Sequence, residues 1–189
     1  MLKRLFDVIT SLAALILLSP ILLIAGLLVK LTDGGPVFYK QERVGYALKP
    51  ITLLKFRSMT DVVRERHQQT FDSSPGVTKV GKILRRFKID ELPQLFNVLK
   101  GDLSIVGPRP CLSVTLDEFG AEASEKRHSL RPGLTGLAQV NGNTLIPWQQ
   151  RLEYDLYYVD HQSFLLDLKI LFKTVLIVFF GEAAGKPKE

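Results

Sequence analysis

Polarity is unevenly distributed along the chain, and the two most apolar stretches lie near its ends. Residues 8–29 contain no charged side chain, and a run of that length reaches the roughly 20 residues that a helix needs to cross a bilayer. The second stretch, SFLLDLKILFKTVLIVFF at 163–180, carries Asp167, Lys169 and Lys173. Three charges argue against a spanning helix. Lys169 and Lys173 are four apart and share a helical face, which describes a helix lying in the membrane interface or packed on the N-terminal segment. Between these stretches, residues 37–40 and 51–59 are β-rich and separated by Gly45 and Pro50, the pattern of a hairpin. On its second arm Lys55 and Arg57 are two apart and fall on one face. Residues 60–78 read as a short helix and a loop. KVGKILRRFK and ELPQLFNVLK read as two helices over 79–100, and because Pro93 suits only a first helical turn, the second should begin close to Glu91. Gly101-Asp102 ends it. A short strand over 103–106, a charged helix over 117–130, a turn-rich connection over 131–136 and a helix over 148–159 complete the pattern.

The N-terminal run is interrupted at its centre by Ser19-Pro20. Pro20 has no N–H for the carbonyl of Ile16, and a Ser19 bond back to Leu15 would bend the helix further. Each half is about 11 residues, or roughly 16 Å, enough to reach about mid-bilayer. A signal peptide is disfavoured by the length of the run and by the lack of a small-residue cleavage site before Lys30. A kinked spanning helix tolerates proline. Lys3 and Arg4 precede the run and Lys30, Lys40 and Arg43 follow it, so both flanks carry the positive charge of cytoplasmic segments. Half-length and charge together favour a re-entrant helix–break–helix.

Composition narrows the chemistry. A chain of 189 residues with formal charge +6 suits one domain with an anionic partner. Nucleic acid leaves the apolar run unexplained, and no nucleic-acid-binding motif is present. The lone Cys111 excludes an internal disulfide, and His67, His128 and His161 have no zinc-ligand spacing. A carboxylate-bound Mg²⁺ remains compatible.

The reactive chemistry centres on the adjacent Asp90 and Glu91. Such a pair is commonly only an acidic helix start. Arg85 and Arg86 lie one turn before it, with Arg86 to Asp90 at an i,i+4 spacing, and Arg109 is held between Pro108 and Pro110. A rigidly placed guanidinium is a ready bidentate phosphate binder. A carboxylate attacks phosphorus only when the phosphate charge is neutralised, so these residues describe a phosphate-handling site close to a membrane face. A non-catalytic membrane-surface adaptor and a membrane phosphatase are the alternatives.

KRLFDV at 3–8, the central Ser19-Pro20, PVFYKQERVG at 36–45, LLKFRSM at 53–59, IDELPQLFNVLKGDLSIVGPRP at 89–110 and RPGLTGLAQVNG at 131–142 together resemble one family. It is the bacterial sugar transferases, the monotopic polyprenol-phosphate phosphoglycosyl transferases. The resemblance extends through LEYDLYYVD and FLLDLKILFKT and so covers nearly the whole chain, in what looks like the minimal form. It implies a mainly helical α+β monotopic membrane protein: residues 1–33 as a re-entrant helix broken at Ser19-Pro20, and 34–189 as a catalytic domain facing the cytoplasm at the bacterial inner membrane, with an interfacial helix over 163–180. It implies a UDP-sugar, undecaprenyl phosphate as acceptor, and Mg²⁺ held by Asp90 and Glu91. Asp90 would be the nucleophile and Glu91 a metal ligand or base. Lys55, Arg85 and Arg109 match positions linked to phosphate binding. Asp155 matches an acid of the site region, although capping or pairing would explain it equally. Where relatives commonly read NGR, this chain has Asn141-Gly142-Asn143 and lacks that cation.

Overall fold

A computed structural model describes residues 2–60, 75–181 and 185; most of the segment expected as a short helix and loop therefore lies outside the described residues. The N-terminal run forms two helices, α1 (Leu2–Leu17) and α2 (Ser19–Asp33), bent by 64° at their junction. Pro20 leaves the carbonyl of Ile16 without its helical donor. The Ser19 hydroxyl donates to that oxygen at 2.8 Å. The expected acceptor, Leu15, is thus corrected to the carbonyl that the proline vacates. Among the described residues no single helix is long and apolar enough to cross a membrane; the bent pair together meets the length and composition of a span or a re-entrant loop.

The first turns of α1 are pegged to the body by polar groups. Arg4 donates to the carbonyls of Val98 and Leu99 at 2.6 and 2.8 Å, capping the end of α4 (Gln94–Lys100). The buried Asp7 accepts from Ser104 Oγ and from the Ile105 N–H. Lys3 pairs with Asp167 at 2.6 Å. The opposite face of α1 leaves Leu5, Ile9, Leu12 and Ile16 exposed at helical spacing. At the far end of the pair, Ala25 and Val29 of α2 pack with Phe56 and Leu84. Both arms of the bent pair therefore rest on one body.

That body begins with the hairpin β1 (Phe38–Val44) and β2 (Pro50–Phe56), registered with Tyr39 opposite Lys55 and Arg43 opposite Ile51. β1 is longer and β2 shorter than their patterns predicted. Because β2 stops at Phe56, alternation ends there and Lys55 and Arg57 part company: Lys55 reaches Glu91, while Arg57 lies against Gly35. Thr78 caps α3 (Lys79–Arg86) by accepting from the Gly81 N–H. The charged helix expected over 117–130 is two, α5 (Thr115–Phe119) and α6 (Ala121–Arg127), split at Gly120 with φ +75°. The turn-rich connection contains a strand, β4 (Gly133–Thr135), parallel to β3 (Ser104–Val106). Its glycines allow the close approach, since a Cβ on Gly133 would come within 2.1 Å of the Gly107 nitrogen. Helices α7 (Trp148–His161) and α8 (Phe164–Phe180) follow as expected. The main core joins Leu53, Leu95, Val98, Leu103, Val106, Tyr158 and Ile170; each such side chain contributes about 1.5–3 kcal/mol by burial. The chain is thus a mainly helical α+β protein with one hairpin and a bent N-terminal helix pair.

Candidate active site

Asp90 and Glu91 lie in a tight 3₁₀ turn, Ile89–Glu91, between α3 and α4. Lys88 precedes it in the left-handed region at φ +56°, which ends the helix ahead of it. Two sequence expectations change accordingly. The second helix begins at Gln94 instead of near Glu91, because Pro93 occupies its N-cap. The i,i+4 relation of Arg86 to Asp90 does not form across a broken helix; Arg86 lies over the Phe87 ring.

Glu91 is clamped from two sides. Lys55 Nζ and Arg109 Nη2 both donate to its Oε1, at 2.9 and 2.8 Å. Each cation is placed by its own element. Asn97 of α4 accepts from the Leu54 N–H and donates to the Thr52 carbonyl, fastening β2 and therefore Lys55 against the helix that follows Glu91. Arg109 follows β3, whose end is fixed when Gly107 N–H donates to the Thr135 carbonyl and Gly133 N–H to that of Pro108. Arg85 Nε donates to Ser58 Oγ, and its charge still reaches Asp90.

These surroundings divide the two carboxylates. Burial, then the Glu91 charge, push the Asp90 carboxyl above its ordinary value, against the pull of Lys55, Arg85 and Lys88. Burial would also raise Glu91, but the charges and hydrogen bonds of Arg109 and Lys55 outweigh it and hold Glu91 well below the usual carboxylate range. Glu91 is a fixed anion that organises cations, and Asp90 is the more basic of the two.

Asp155 is placed behind this cluster. It is buried and pairs with Arg127, Oδ2 to Nη2 at 2.7 Å. Arg127 in turn donates to the backbone carbonyl of Arg109 at 2.5 Å. The acid thus acts on the site through Arg127, the pairing role its sequence allowed. Arg127 was not singled out by the sequence, nor was His128, whose Nδ1 donates to the Ser124 carbonyl and whose Nε2 faces Arg127 and the Cys111 thiol. Burial keeps that imidazole neutral-leaning and pushes the thiol up, so they form a structural pair and not a nucleophile. Arg43 was also passed over. Burial and the neighbouring Arg109 lower it to about 10, a sign of cations crowded around one place. Ser19 and Pro20 sit at the helix bend.

A cavity of about 50 Å³ opens beside Glu91, lined by Lys88, Glu91 and Arg109 together with Thr135, Gln139, Asn143, Thr174 and Ile177. Among the described residues no cluster of three or more His, Cys, Asp or Glu could hold a metal. Both clamping cations use Glu91 Oε1, so its other oxygen and the Asp90 carboxylate are the acceptors a cation would meet. Two carboxylates, completed by phosphate oxygens and water, is how Mg²⁺ is commonly bound.

Comparison with known proteins identifies the family. Residues 1–181 match the model of the family described as bacterial sugar transferase. The chain is 48% identical over 181 residues to the "Uncharacterized sugar transferase EpsL" of Bacillus subtilis, covering 96% of this chain and 89% of that protein. It is 46% identical to a UDP-glucose:undecaprenyl-phosphate glucose-1-phosphate transferase of Klebsiella pneumoniae, over 96% of this chain and 41% of the relative. It is 41% identical to a UDP-N-acetylgalactosamine-undecaprenyl-phosphate N-acetylgalactosaminephosphotransferase of Aeromonas hydrophila, over 96% and 44%. The chain spans less than half the length of these last two relatives. With a family match over nearly its whole length and a relative 48% identical across 96% of it, this chain belongs to the bacterial sugar transferase family.

Proposed function

We propose that the protein transfers a sugar 1-phosphate from a UDP-sugar to undecaprenyl phosphate, releasing UMP and leaving a polyprenyl-diphosphate sugar. The observation that carries this reading is the clamp on Glu91 by Lys55 and Arg109, which sets a basic Asp90 carboxylate beside cations suited to a diphosphate. An Asp90 oxygen attacks the β-phosphorus, and the bond from that phosphorus to the bridging oxygen breaks. The electron pair leaves with UMP, and the sugar phosphate stays on Asp90 as an acyl phosphate. An oxygen of the polyprenol phosphate then attacks the same phosphorus and displaces the carboxylate. Arg109, Lys55 and Arg85 neutralise the phosphate charge through both steps. Mg²⁺, held by Asp90 and Glu91 with phosphate oxygens, would supply further charge neutralisation.

The acceptor's lipid tail calls for a bilayer, and the exposed apolar surface supports one. Leu5, Ile9, Leu12 and Ile16 of α1, Leu23, Ile24 and Leu27 of α2, and Phe172, Phe179 and Phe180 of α8 are all exposed. Both arms of the bent pair rest on the catalytic body, which supports entry and return on one face, at the cytoplasmic side of the bacterial inner membrane. Purified protein supplied with UDP-sugars, Mg²⁺ and undecaprenyl phosphate is expected to release UMP. Release of inorganic phosphate without lipid product would instead mark a phosphatase. A phosphosugar adduct detected by mass spectrometry on Asp90, and absent from Asp90→Asn, tests the covalent step separately.

A further inference from the structure

Helix α3 has two unlike faces, and packing fixes which of them points inward. Leu84 is buried with Ala25 and Val29 of α2, and Val80 packs against the same cluster. The backbone at Gly81 lies so close to the Ser58 carbonyl that a Cβ there would collide with it. The helical period then sets the outer face. Lys79, Lys82, Ile83 and Arg86, continued by Phe87, fall at i, i+3, i+4, i+7 and i+8, and all are exposed. Ile83 is 58% and Phe87 42% exposed, and α3 contains no acidic side chain.

A solvated helix face is polar throughout, whereas this one sets large apolar groups among its cations. The Arg86 guanidinium lies 5.6 Å from the centre of the Phe87 ring. Long basic side chains of this kind cover apolar surface with their stems and keep the charged head in a polar layer. Depth agrees with that arrangement. Ala25 and Val29, on which α3 packs, lie about 12 and 6 Å before the end of α2 at Asp33. On the bilayer reading of the bent pair, that is where α2 crosses from acyl chains into a headgroup layer about 5–7 Å deep. The chain's positive charge is also unevenly placed, since exposed acids, Asp117, Glu118, Glu122 and Glu125, gather on α5 and α6.

We infer that the outer face of α3 docks on anionic phospholipids, with Lys79, Lys82 and Arg86 against the headgroup phosphates and Ile83 and Phe87 among the first acyl carbons. Three cations on one face call for an anionic layer, and the apolar pair between them calls for one with a greasy underside. The exposed Leu23, Ile24 and Leu27 of α2, the helix on which α3 packs, extend the same apolar surface and favour a membrane over an acidic protein. The docking has a consequence for the site. Lys88 and the Asp90 turn follow α3 directly, and Ile89 packs in the cluster that holds Leu84. The depth of α3 therefore sets the depth of Asp90. An acceptor phosphate lies at headgroup level, so anionic lipid would seat the Asp90 turn beside it. That consequence rests on the proposed transfer reaction; the docking itself does not.

The test places a nitroxide at Ile83→Cys in the full chain. It compares nanodiscs of phosphatidylcholine with nanodiscs of equal parts phosphatidylcholine and phosphatidylglycerol. Cys111 is buried, so protein without the new cysteine serves as the unlabelled control. In the mixed membrane the label should collide more with oxygen than with an uncharged, water-soluble nickel chelate. The neutral membrane, or Lys79→Gln/Lys82→Gln/Arg86→Gln in the mixed one, should shift that balance toward the chelate. UMP release at limiting undecaprenyl phosphate should fall at least about fivefold without phosphatidylglycerol, the scale of one cation at an anionic surface. The triple variant should show a similar loss in the mixed membrane and little further loss in the neutral one. Added salt should shrink the lipid effect. A label equally open to water in both membranes would overturn the inference. A triple-variant loss as large in the neutral membrane as in the mixed one would also overturn it, by assigning the cations to the reactants. Should the triple variant fail to fold, the label in the two membranes decides. The label needs no turnover. Absence of UMP with a lipid-embedded label therefore defeats the transfer reaction alone, and a water-exposed label with normal UMP release defeats the docking alone.

Discussion

Two carboxylate–guanidinium clusters sit on either side of Arg109, and they differ in how much of their charge is spent. In the rear cluster Arg127 and Asp155 pair with side chains only 2% and 4% exposed, and Arg127 uses a further N–H to hold the Arg109 backbone. In the front cluster Glu91 is shared by Lys55 and Arg109, the Arg109 side chain is 41% exposed, and a second carboxylate stands beside them. A closed, buried pair gives positional order at the cost of desolvation. An open one keeps cationic charge available to an incoming phosphate. The difference shows that the same two residue types serve as a strut or as a site according to burial and to the number of partners.

The largest expected effect comes from Asp90→Asn, which should lower UMP release on the order of 10³-fold or more while leaving the circular dichroism spectrum intact. Retained activity would remove Asp90 from the chemistry. Arg127→Leu should attack the rear cluster by leaving Asp155 buried and uncompensated, at about 3–5 kcal/mol of stability in chemical denaturation. The double variant Arg127→Leu/Asp155→Leu should recover most of that stability but not the activity, because the Arg109 carbonyl has lost its donor. Full recovery of both would reduce the rear cluster to packing. Glu91→Gln should be milder, about 10²-fold in kcat/KM, since it weakens the charge that gathers Lys55 and Arg109.

The smallest effect is the most discriminating. Glu91 is held below its ordinary 4.5, so the folded state binds fewer protons there than the unfolded chain does. Its contribution is complete above that value and is lost as pH falls through the folded value. Asp155 is raised above its ordinary 3.8, first by burial despite Arg127. Its contribution has the opposite sign: stability falls as pH rises from 3.8 through the folded value. Thermal midpoints measured across acid pH without added divalent cation should therefore respond oppositely to Glu91→Gln and Asp155→Asn. Parallel responses would show that the two pairs are not the contrasting structures described.

Much of this was legible in the sequence because it depends on local chemistry. Pro20 breaks a helix wherever it stands, Pro93 restricts where α4 can start, and Gly101 with φ +99° ends it. The gathering of Lys55, Arg85, Asp90, Glu91 and Arg109 was anticipated on motif resemblance. What was hidden depends on partners distant in the chain. Asn97 looks like any polar helix residue until its amide is seen bonded to the β2 backbone. Asp7 lies at the edge of an apolar run and yet is anchored 97 residues away at Ser104. Arg127 sits within a charged stretch whose other members are largely solvated. Strand β4 was concealed by its glycines, which usually signal turns and in this protein permit two backbones to touch.

The sequence by itself therefore determined the bent apolar helix pair, the hairpin and most of the helix order, because periodicity, proline and charge act over a few residues, whereas the cations around the carboxylate pair were expected from the family resemblance. Only the tertiary structure decided which carboxylate is clamped and which is left basic, that Asp155 supports Arg109 from behind, and that Gln139 Oε1 is buried without a hydrogen-bond partner among the described residues. Those outcomes depend on burial and on hydrogen-bond partners brought from distant segments, and neither exists until the chain has packed.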